Sequence, residues 1–428
     1  MSFSLLRARA WRACLTFGVV CIVATAQAQT IGSPAGELTL AQAIAAALAG
    51  NPELRAGEFE LRAAAGRVQQ AGLRPNPELA LELENFAGSG VTSGSDVLET
   101  TLSLSQIVEL GGKRERRQQV ASYGHGTLVV ERQIRQLDVL ADVTRRYLTV
   151  VLAQERLALS QTALDLAEET HSVMAQRVKA ARSPRAEQSR AAIARARSRL
   201  DRERARQALD AARQQLAAMW GSDQARFTTA VADLYALPAV DDFDSLASGM
   251  AQTPDFLSYA AQRRLREAEL QLAQARARPS LKLSAGVRRL EEGDDTALVA
   301  GVSLPLPLFD RRQGQRTESR ARIAQNEAER SAALVKVRAA LFALHGELLV
   351  ARAEVEVLRG EVLPQAERAL DQIHSGFERG RFSYLELSGA QQDLIDTLRA
   401  AIEAAGTVHR LHTEIERLTG KPLAAATR

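Results

Sequence analysis

Aromatic residues make up only 4% of these 428 residues, there are 12 prolines, and the only two cysteines are Cys14 and Cys21. No window reaches the roughly 20 apolar residues that a membrane-crossing helix needs. Few aromatics and prolines in an alanine-rich chain suit long helices packed through small side chains better than a compact globule. Without an apolar helix, contact with a bilayer has to be made through strands.

The first residues read as an export signal. Arg7, Arg9 and Arg12 form a basic start, Cys14 to Val23 an apolar stretch too short for an anchor, and Ala26-Gln27-Ala28 a small-residue cleavage site. A signal over 1–28 carries both cysteines away, which excludes disulfides, thiol catalysis and cysteine metal sites from the mature chain. Neither cysteine sits in a lipoprotein context. The 55 Lys and Arg fall to 52 against 51 Asp and Glu, so the sequence pI of 9.3 does not point to nucleic acid.

What is present comes twice. Asn51-Pro52-Glu53-Leu54 matches Thr253-Pro254-Asp255-Phe256, Arg74-Pro75 matches Arg278-Pro279, and Ser105 to Leu110 matches Leu304 to Phe309. Ser183 falls against Ser383 and Gly221 against Gly420. The offset of roughly 200 far exceeds solenoid periods, so this is a duplicated half-domain. The repeats are expected over 29–220 and 244–420, joined by a loose connector at 221–243 and followed by a tail at 421–428.

Each repeat carries two segments of period-two alternation. In the first, Leu79, Leu81 and Leu83 oppose Glu78, Glu82 and Glu84, and Leu102 and Leu104 oppose Thr101, Ser103 and Ser105. In the second, Leu281, Leu283, Ala285 and Val287 alternate with Lys282, Ser284 and Gly286, then Leu298 to Leu306 alternate with Val299, Gly301 and Ser303. Strands are expected at about 77–86, 99–108, 279–289 and 297–307. Such segments fit a membrane barrel wall; a half-buried sheet in a soluble domain gives the same alternation. The export signal and the shortage of other apolar segments favour the barrel.

Long helices fill the rest. A helix from Lys113 to about Ala180 would run roughly 100 Å at 1.5 Å per residue, with Gly124 and Gly126 as weak points. Leu334, Val337, Leu341, Leu344, Leu348, Ala351, Val355, Leu358 and Val362 form a 3-4 spaced coiled-coil seam ending near Pro364, and Ile134 to Val151 repeat it with smaller residues. Turns are expected near 180–184 and 379–383, where Gly380 suits a helix C-terminus and Ser383 an N-cap.

The two strand–strand–hairpin repeats, SQIVELGGKR at Ser105 to Arg114, LPLPLFD at Leu304 to Asp310 and GRFSYLELSGAQ at Gly380 to Gln391 resemble the TolC family of outer-membrane factors. The ELGGKR form resembles the cobalt-zinc-cadmium resistance branch. The resemblance implies a mainly α fold with a small β part. It further implies a homotrimer closing a twelve-stranded β-barrel in outer-membrane lipid, above a periplasmic α-helical tunnel. Function would be passive conduction with a periplasmic adaptor (membrane fusion protein) and an inner-membrane RND transporter, with no cofactor; heavy-metal cations follow from the branch. Drug efflux and type I secretion use the same class of channel, and a periplasmic coiled-coil adaptor or scaffold is the rival outside it.

The resemblance also assigns residues. Arg177, Ala180, Ser183, Gly380, Phe382 and Ser383 would form tips that dock the adaptor, or Gly380 and Ser383 would simply cap helices. Glu386, with Asp393 seven residues on, would gate the periplasmic end, or Glu386 would be an ordinary solvated glutamate; the family's second acidic position is Gly389 here. Glu82, Glu84 and Lys282 would face the barrel lumen. Lys113, Arg114, Arg116 and Arg117 would meet lipid headgroups or start a solvated helix. His409 and His412, at i and i+3, are weak metal candidates lacking a third ligand. No catalytic triad or phosphate loop is present, so an enzyme is not expected.

Overall fold

The computed structural model describes residues 34–90 and 95–420. The signal reading, Cys14, Cys21, part of the first polar loop and the tail at 421–428 lie outside those residues.

Proline and capping side chains start the first helices. Thr39 opens α1 (Leu40–Gly50) with a reciprocal capping box to Gln42. Asn51 then ends α1 and opens α2 (Pro52–Ala71), its Oδ1 accepting from the amides of Glu53 and Leu54 while Pro52 takes the donor-free first position. The break read at Asn51-Pro52 is therefore a capped junction. Strands β2 (Glu78–Glu84) and β3 (Glu99–Val108) follow, then the 67-residue helix α3 (Lys113–Lys179), which Gly124 and Gly126 do not interrupt. Its return is α4 (Arg185–Ala217).

The second half runs α5 (Phe243–Gly249), α6 (Pro254–Arg276), β5 (Leu281–Leu290), β6 (Asp295–Ser303), α7 (Gln313–Val357), α8 (Leu363–Glu378) and α9 (Tyr384–Thr419). The fourth strand is shorter than expected. Pro305 and Pro307 cannot donate to a ladder, and β6 stops at Ser303. Pro364 does not end the helical run either. A π-turn over Leu358–Val362 absorbs the donor that Pro364 lacks, and the chain continues as α8.

The seams hold in their middle and not at their ends. Leu341, Leu348, Ala351 and Val355 are buried, whereas Leu334 and Val362 are about 40% exposed. On α3, Val139, Val143, Tyr147 and Val150 are buried beside the expected Ala141, Thr144 and Val151, because α1, α2, α4, α6 and α9 all pack around this helix. A narrow stripe cannot serve so many neighbours.

The connector is not loose. Its Phe227–Ala230 forms β4, which pairs in parallel with β1 (Gly36–Leu38), a two-stranded sheet not foreseen from the sequence. Gln154 on α3 extends that sheet by donating to the Ala230 carbonyl and accepting from the Ala230 amide. The Tyr147 hydroxyl shares its proton between the carbonyls of Val231 (2.6 Å) and Leu38 (3.0 Å), and burial pushes its pKa up to about 12. Beyond Val231 the connector is strapped along α7 by basic residues seven apart. Arg338 lies over Phe243, His345 bonds the Asp241 carbonyl, Arg352 donates to the Pro238 carbonyl and Arg359 lies 3.9 Å over Tyr235. Seven helical residues rise about 10.5 Å, nearly the span of three extended ones, the spacing from Asp241 to Pro238 and from Pro238 to Tyr235. That match lets the connector and the helix run antiparallel in register.

The repeats close on themselves alike. Gly221, at φ +73°, packs on Pro52, and Gly420, at φ +68°, packs on Thr253. Arg417 then ties the second closure to the first half, donating to Asp138 at 2.7 Å and to both carboxylate oxygens of Asp255.

Candidate channel wall and hairpin tips

The main sheet has the order β2-β3-β5-β6, every pair antiparallel, so β2 and β6 are its edges. The register stacks Glu78, Glu82 and Glu84 beside Ser105, Thr101 and Glu99, then Ser284, Arg288 and Leu290, then Gly301, Ala297 and Asp295. The other face carries Leu79, Leu81, Leu83, Leu102, Leu104, Leu283, Val287, Leu298 and Val302. These are exposed, Leu79 at 72% and Leu298 at 88%. An apolar sheet face left bare by the chain's own helices is a surface made for another apolar phase.

The polar face holds the expected Glu82, Glu84 and Lys282. Lys282 Nζ lies 2.8 Å from Glu78, and Arg288 lies 2.9 Å from Glu84 and 2.7 Å from Glu99 while donating to Thr101. Glu78 was read on this side of the strand but not among the lumen residues, and Arg288 and Glu99 were not singled out from the sequence, although period-two counting puts them on this face. Five acids (Glu78, Glu82, Glu84, Glu99, Asp295) thus face two cations, a net charge of −3 per chain by the register.

Below the sheet, Gly111 and Gly112 both take positive φ (+78° and +71°) and turn the strand into α3. Arg117 anchors the turn, its guanidinium bidentate on Glu109 (2.7 and 3.1 Å) and donating to the carbonyls of Ala71 and Leu73. That pairing holds the Glu109 carboxyl below its usual range. Lys113 reaches Ser280 in the second repeat at 2.6 Å, and Arg116 reaches Gln271. Lys113, Arg116 and Arg117 thus bind the protein's own junction.

The two hairpin turns at the far end share one backbone solution. The Ala181 amide donates to Val178 and the Arg182 amide to Arg177; the Gly380 amide donates to Phe377 and the Arg381 amide to Gly376. Both are Schellman closures with a left-handed residue, Ala181 at +55° and Gly380 at +76°. The repeats therefore align here at an offset of 199, which sets Ser183 against Phe382 and Pro184 against Ser383, correcting the Ser183–Ser383 match. Arg177 is not free at the tip. It donates to the Phe377 carbonyl at 2.8 Å and lies 4.3 Å over the Phe377 ring, joining the hairpins above a cluster of Met174, Ala191, Phe377, Tyr384 and Leu387. Ala180, Gly380, Phe382 and Ser383 are exposed.

Glu386 closes a capping box. Its carboxylate accepts from the Ser383 amide at 2.7 Å and the Ser383 hydroxyl at 2.8 Å, and these bonds hold its pKa below the ordinary value. Asp393 shares its face as expected, and both line a groove of about 670 Å³ between α8 and α9 with Gly389 and Asp396. His409 and His412 do not converge on one site. His409 is half-buried against the Leu234 carbonyl at 2.9 Å, desolvation lowering its pKa, and His412 faces Glu416. The helix that carries them, α9, buries much of its length, and among the described residues no group of three metal-ligating side chains forms.

A narrow antiparallel sheet with one apolar and one charged face, continued by a layer of long helical hairpins, defines the class of outer-membrane channel components with a periplasmic helical extension. The chain belongs to the outer membrane efflux protein family, which matches residues 43–222 and 248–421. Members of that family are outer-membrane channel components that reach into the periplasm and work with an adaptor and an inner-membrane transporter, not enzymes. The chain is 30% identical over 391 residues to the cobalt-zinc-cadmium resistance protein CzcC of Cupriavidus metallidurans, covering 90% of this chain and 91% of that protein. It is 26% identical over 330 residues to the nickel-cobalt-cadmium resistance protein NccC of Alcaligenes xylosoxydans xylosoxydans, covering 74% and 71%. A membrane protein from Pseudomonas aeruginosa superposes with a TM-score of 0.74 at 20% identity, covering 89% of this chain and 90% of that one. The outer membrane protein VceC of Vibrio cholerae does so at 0.69 and 19%, covering 89% and 96%.

Proposed function

We propose that three copies close their four-stranded sheets into one twelve-stranded barrel over a tunnel of hairpins, and that this conduit exports heavy-metal cations. The carrying observation is the sheet itself, with an apolar face, a face of net charge −3 and two unpaired edges. Open edges in lipid cost several kcal/mol per unsatisfied backbone group, so closure with other copies is demanded. The acidic inner face favours cations, as charged rings do in other pores. The metal-resistance names of the relatives support the substrate class. In this reading Glu82, Glu84 and Lys282 line the lumen. The tips at Arg177, Ala180, Ser183, Gly380, Phe382 and Ser383 meet a periplasmic adaptor coupled to an RND-type transporter. Glu386 and Asp393 ring the entrance, Glu386 also serving as a cap.

The test is outer-membrane fractionation with heat-modifiable migration, joined to cobalt, zinc and cadmium tolerance of a deletion strain. A trimer in the outer membrane and metal sensitivity on deletion are expected. A soluble periplasmic monomer would return the chain to the scaffold reading, and drug sensitivity without metal sensitivity would redirect the substrate.

A further inference from the structure

The hairpins of one chain form a layer with contacts in the order α4, α3, α9, α8, so α4 and α8 are its edges. On α4 the face turned away from α3 carries Ile193 and Leu200, 53% and 58% exposed. Beside that stripe, Arg190, Arg197 and Arg204 recur every seven residues on one side, and from Gln188 to Leu200 there is no acidic residue at all. On the opposite edge, exposed Glu361, Glu367 and Asp371 stand against two cations that are both engaged within the chain, Arg359 lying over Tyr235 and Arg368 donating to the carbonyl of Pro364 on its own helix.

The tips are packed level by the Arg177–Phe377 contact, so height can be counted from the two turns. At 1.5 Å per residue, Arg190, Arg197 and Arg204 lie about 12, 22 and 33 Å above their turn. Asp371, Glu367 and Glu361 lie about 15, 21 and 30 Å above theirs. Three cations on one edge and three anions on the other agree within about 3 Å, on a layer with one edge of each kind. A contact between unlike edges is heterologous and passes from copy to copy around a ring.

We propose that the α4 edge of one copy seats on the α8 edge of the next through a charge-matched seam, Arg190 to Asp371, Arg197 to Glu367 and Arg204 to Glu361, around Ile193 and Leu200. This rests on the trimeric reading and adds its lateral register. Arg204 exchanges its helical partner Asp201, 3.0 Å away, for Glu361 or shares it between them.

The experiment is inter-copy cross-linking in outer-membrane vesicles with R197C/E367C, Cys14 and Cys21 being the only natural cysteines. Oxidation should give covalent dimers and trimers that survive boiling, with neither single variant doing so. In the same double-cysteine background, reversing Arg190 to Glu should cut the cross-linked fraction several-fold, and adding Asp371→Lys should restore it. A heat-modifiable trimer without the cross-link, or a cross-link indifferent to both reversals, overturns the seam and leaves the channel standing. Absence of any heat-modifiable oligomer overturns the trimeric reading instead.

Discussion

The two hairpin turns perform the same backbone task with different residues, Ala181 in one and Gly380 in the other, and that difference has a computable consequence. In Gly380→Ala, an added Cβ would find nothing nearer than Arg177 Nη2 at 3.9 Å, so packing contributes no cost. What remains is the left-handed backbone, worth roughly 1–2 kcal/mol for an L-residue. Against it stands a gain of about 0.4–1 kcal/mol from a less flexible unfolded chain. The net is about 1 kcal/mol of local destabilisation, or roughly fivefold faster opening, since 1.4 kcal/mol is tenfold. Ala181→Gly runs the cycle backwards and should slow opening by roughly two- to fivefold.

Hydrogen–deuterium exchange of peptides spanning 175–185 and 374–384 reads both turns in the intact protein, because the amides of Arg182 and Arg381 are the ones that close the turns. Expected are faster exchange at Arg381 in the first variant, slower exchange at Arg182 in the second, and both together in the combination. Unchanged exchange at Arg381 in Gly380→Ala would refute the reasoning, since no compensating contact exists for the new methyl.

At the proposed entrance, Glu386→Gln keeps a side chain that can complete the capping box and removes the charge; it should raise single-channel conductance or lower cation selectivity in planar bilayers, with exchange at Ser383 and Glu386 unchanged. Because the Glu386 pKa is lowered in the folded chain, its support for the cap is complete above the ordinary value of 4.5 and is lost as pH falls through the folded value, so exchange at residues 383–387, corrected for its intrinsic pH dependence, should accelerate below about pH 4.5. Arg117→Ala removes two charge-assisted bonds and two carbonyl bonds, and should cost about 2 kcal/mol after allowance for the one-third exposure of the guanidinium, read as a lower temperature for the trimer-to-monomer shift on gels. Replacing Glu78, Glu82 and Glu84 with glutamine turns the net charge of the sheet's polar face from −3 to neutral, and cation-over-anion permeability should fall; an unchanged reversal potential would remove those glutamates from the lumen.

The wall was legible because its code is local. Period two in Leu79 to Leu83 and in Leu281 to Val287 assigns each residue to a face whatever surrounds it, and the register then aligned those faces across four strands. The connector was illegible for the opposite reason. Phe227–Ala230 is four residues long, its partner lies some 190 residues away, and two of its polar satisfactions come from the Gln154 side chain on α3. Nothing in the order of those residues announces a strand. The histidines failed similarly: His409 and His412 look like ligand spacing, but the Leu234 carbonyl that occupies His409 belongs to the same strap.

The tips show where identity and geometry part. Matching letters set Ser183 against Ser383, while matching hydrogen bonds set Ser183 against Phe382 and leave Pro184 as the counterpart of the capping Ser383. One shift of a single residue changes what each tip can do. The first turn begins its helix with Pro184, which offers no side-chain cap, and the second begins with Ser383 and a Glu386 held close by two bonds. Phe382 then lies over Gly376, where a Cβ would come within 2.3 Å of its ring. Gly376 leaves the space that Phe382 fills and Gly380 takes its positive φ without strain, so this turn is more tightly specified than its partner. Both hairpins share one backbone closure, and only the second adds a capping box and the Phe382 packing, on the copy that carries the acidic groove of Glu386, Asp393 and Asp396.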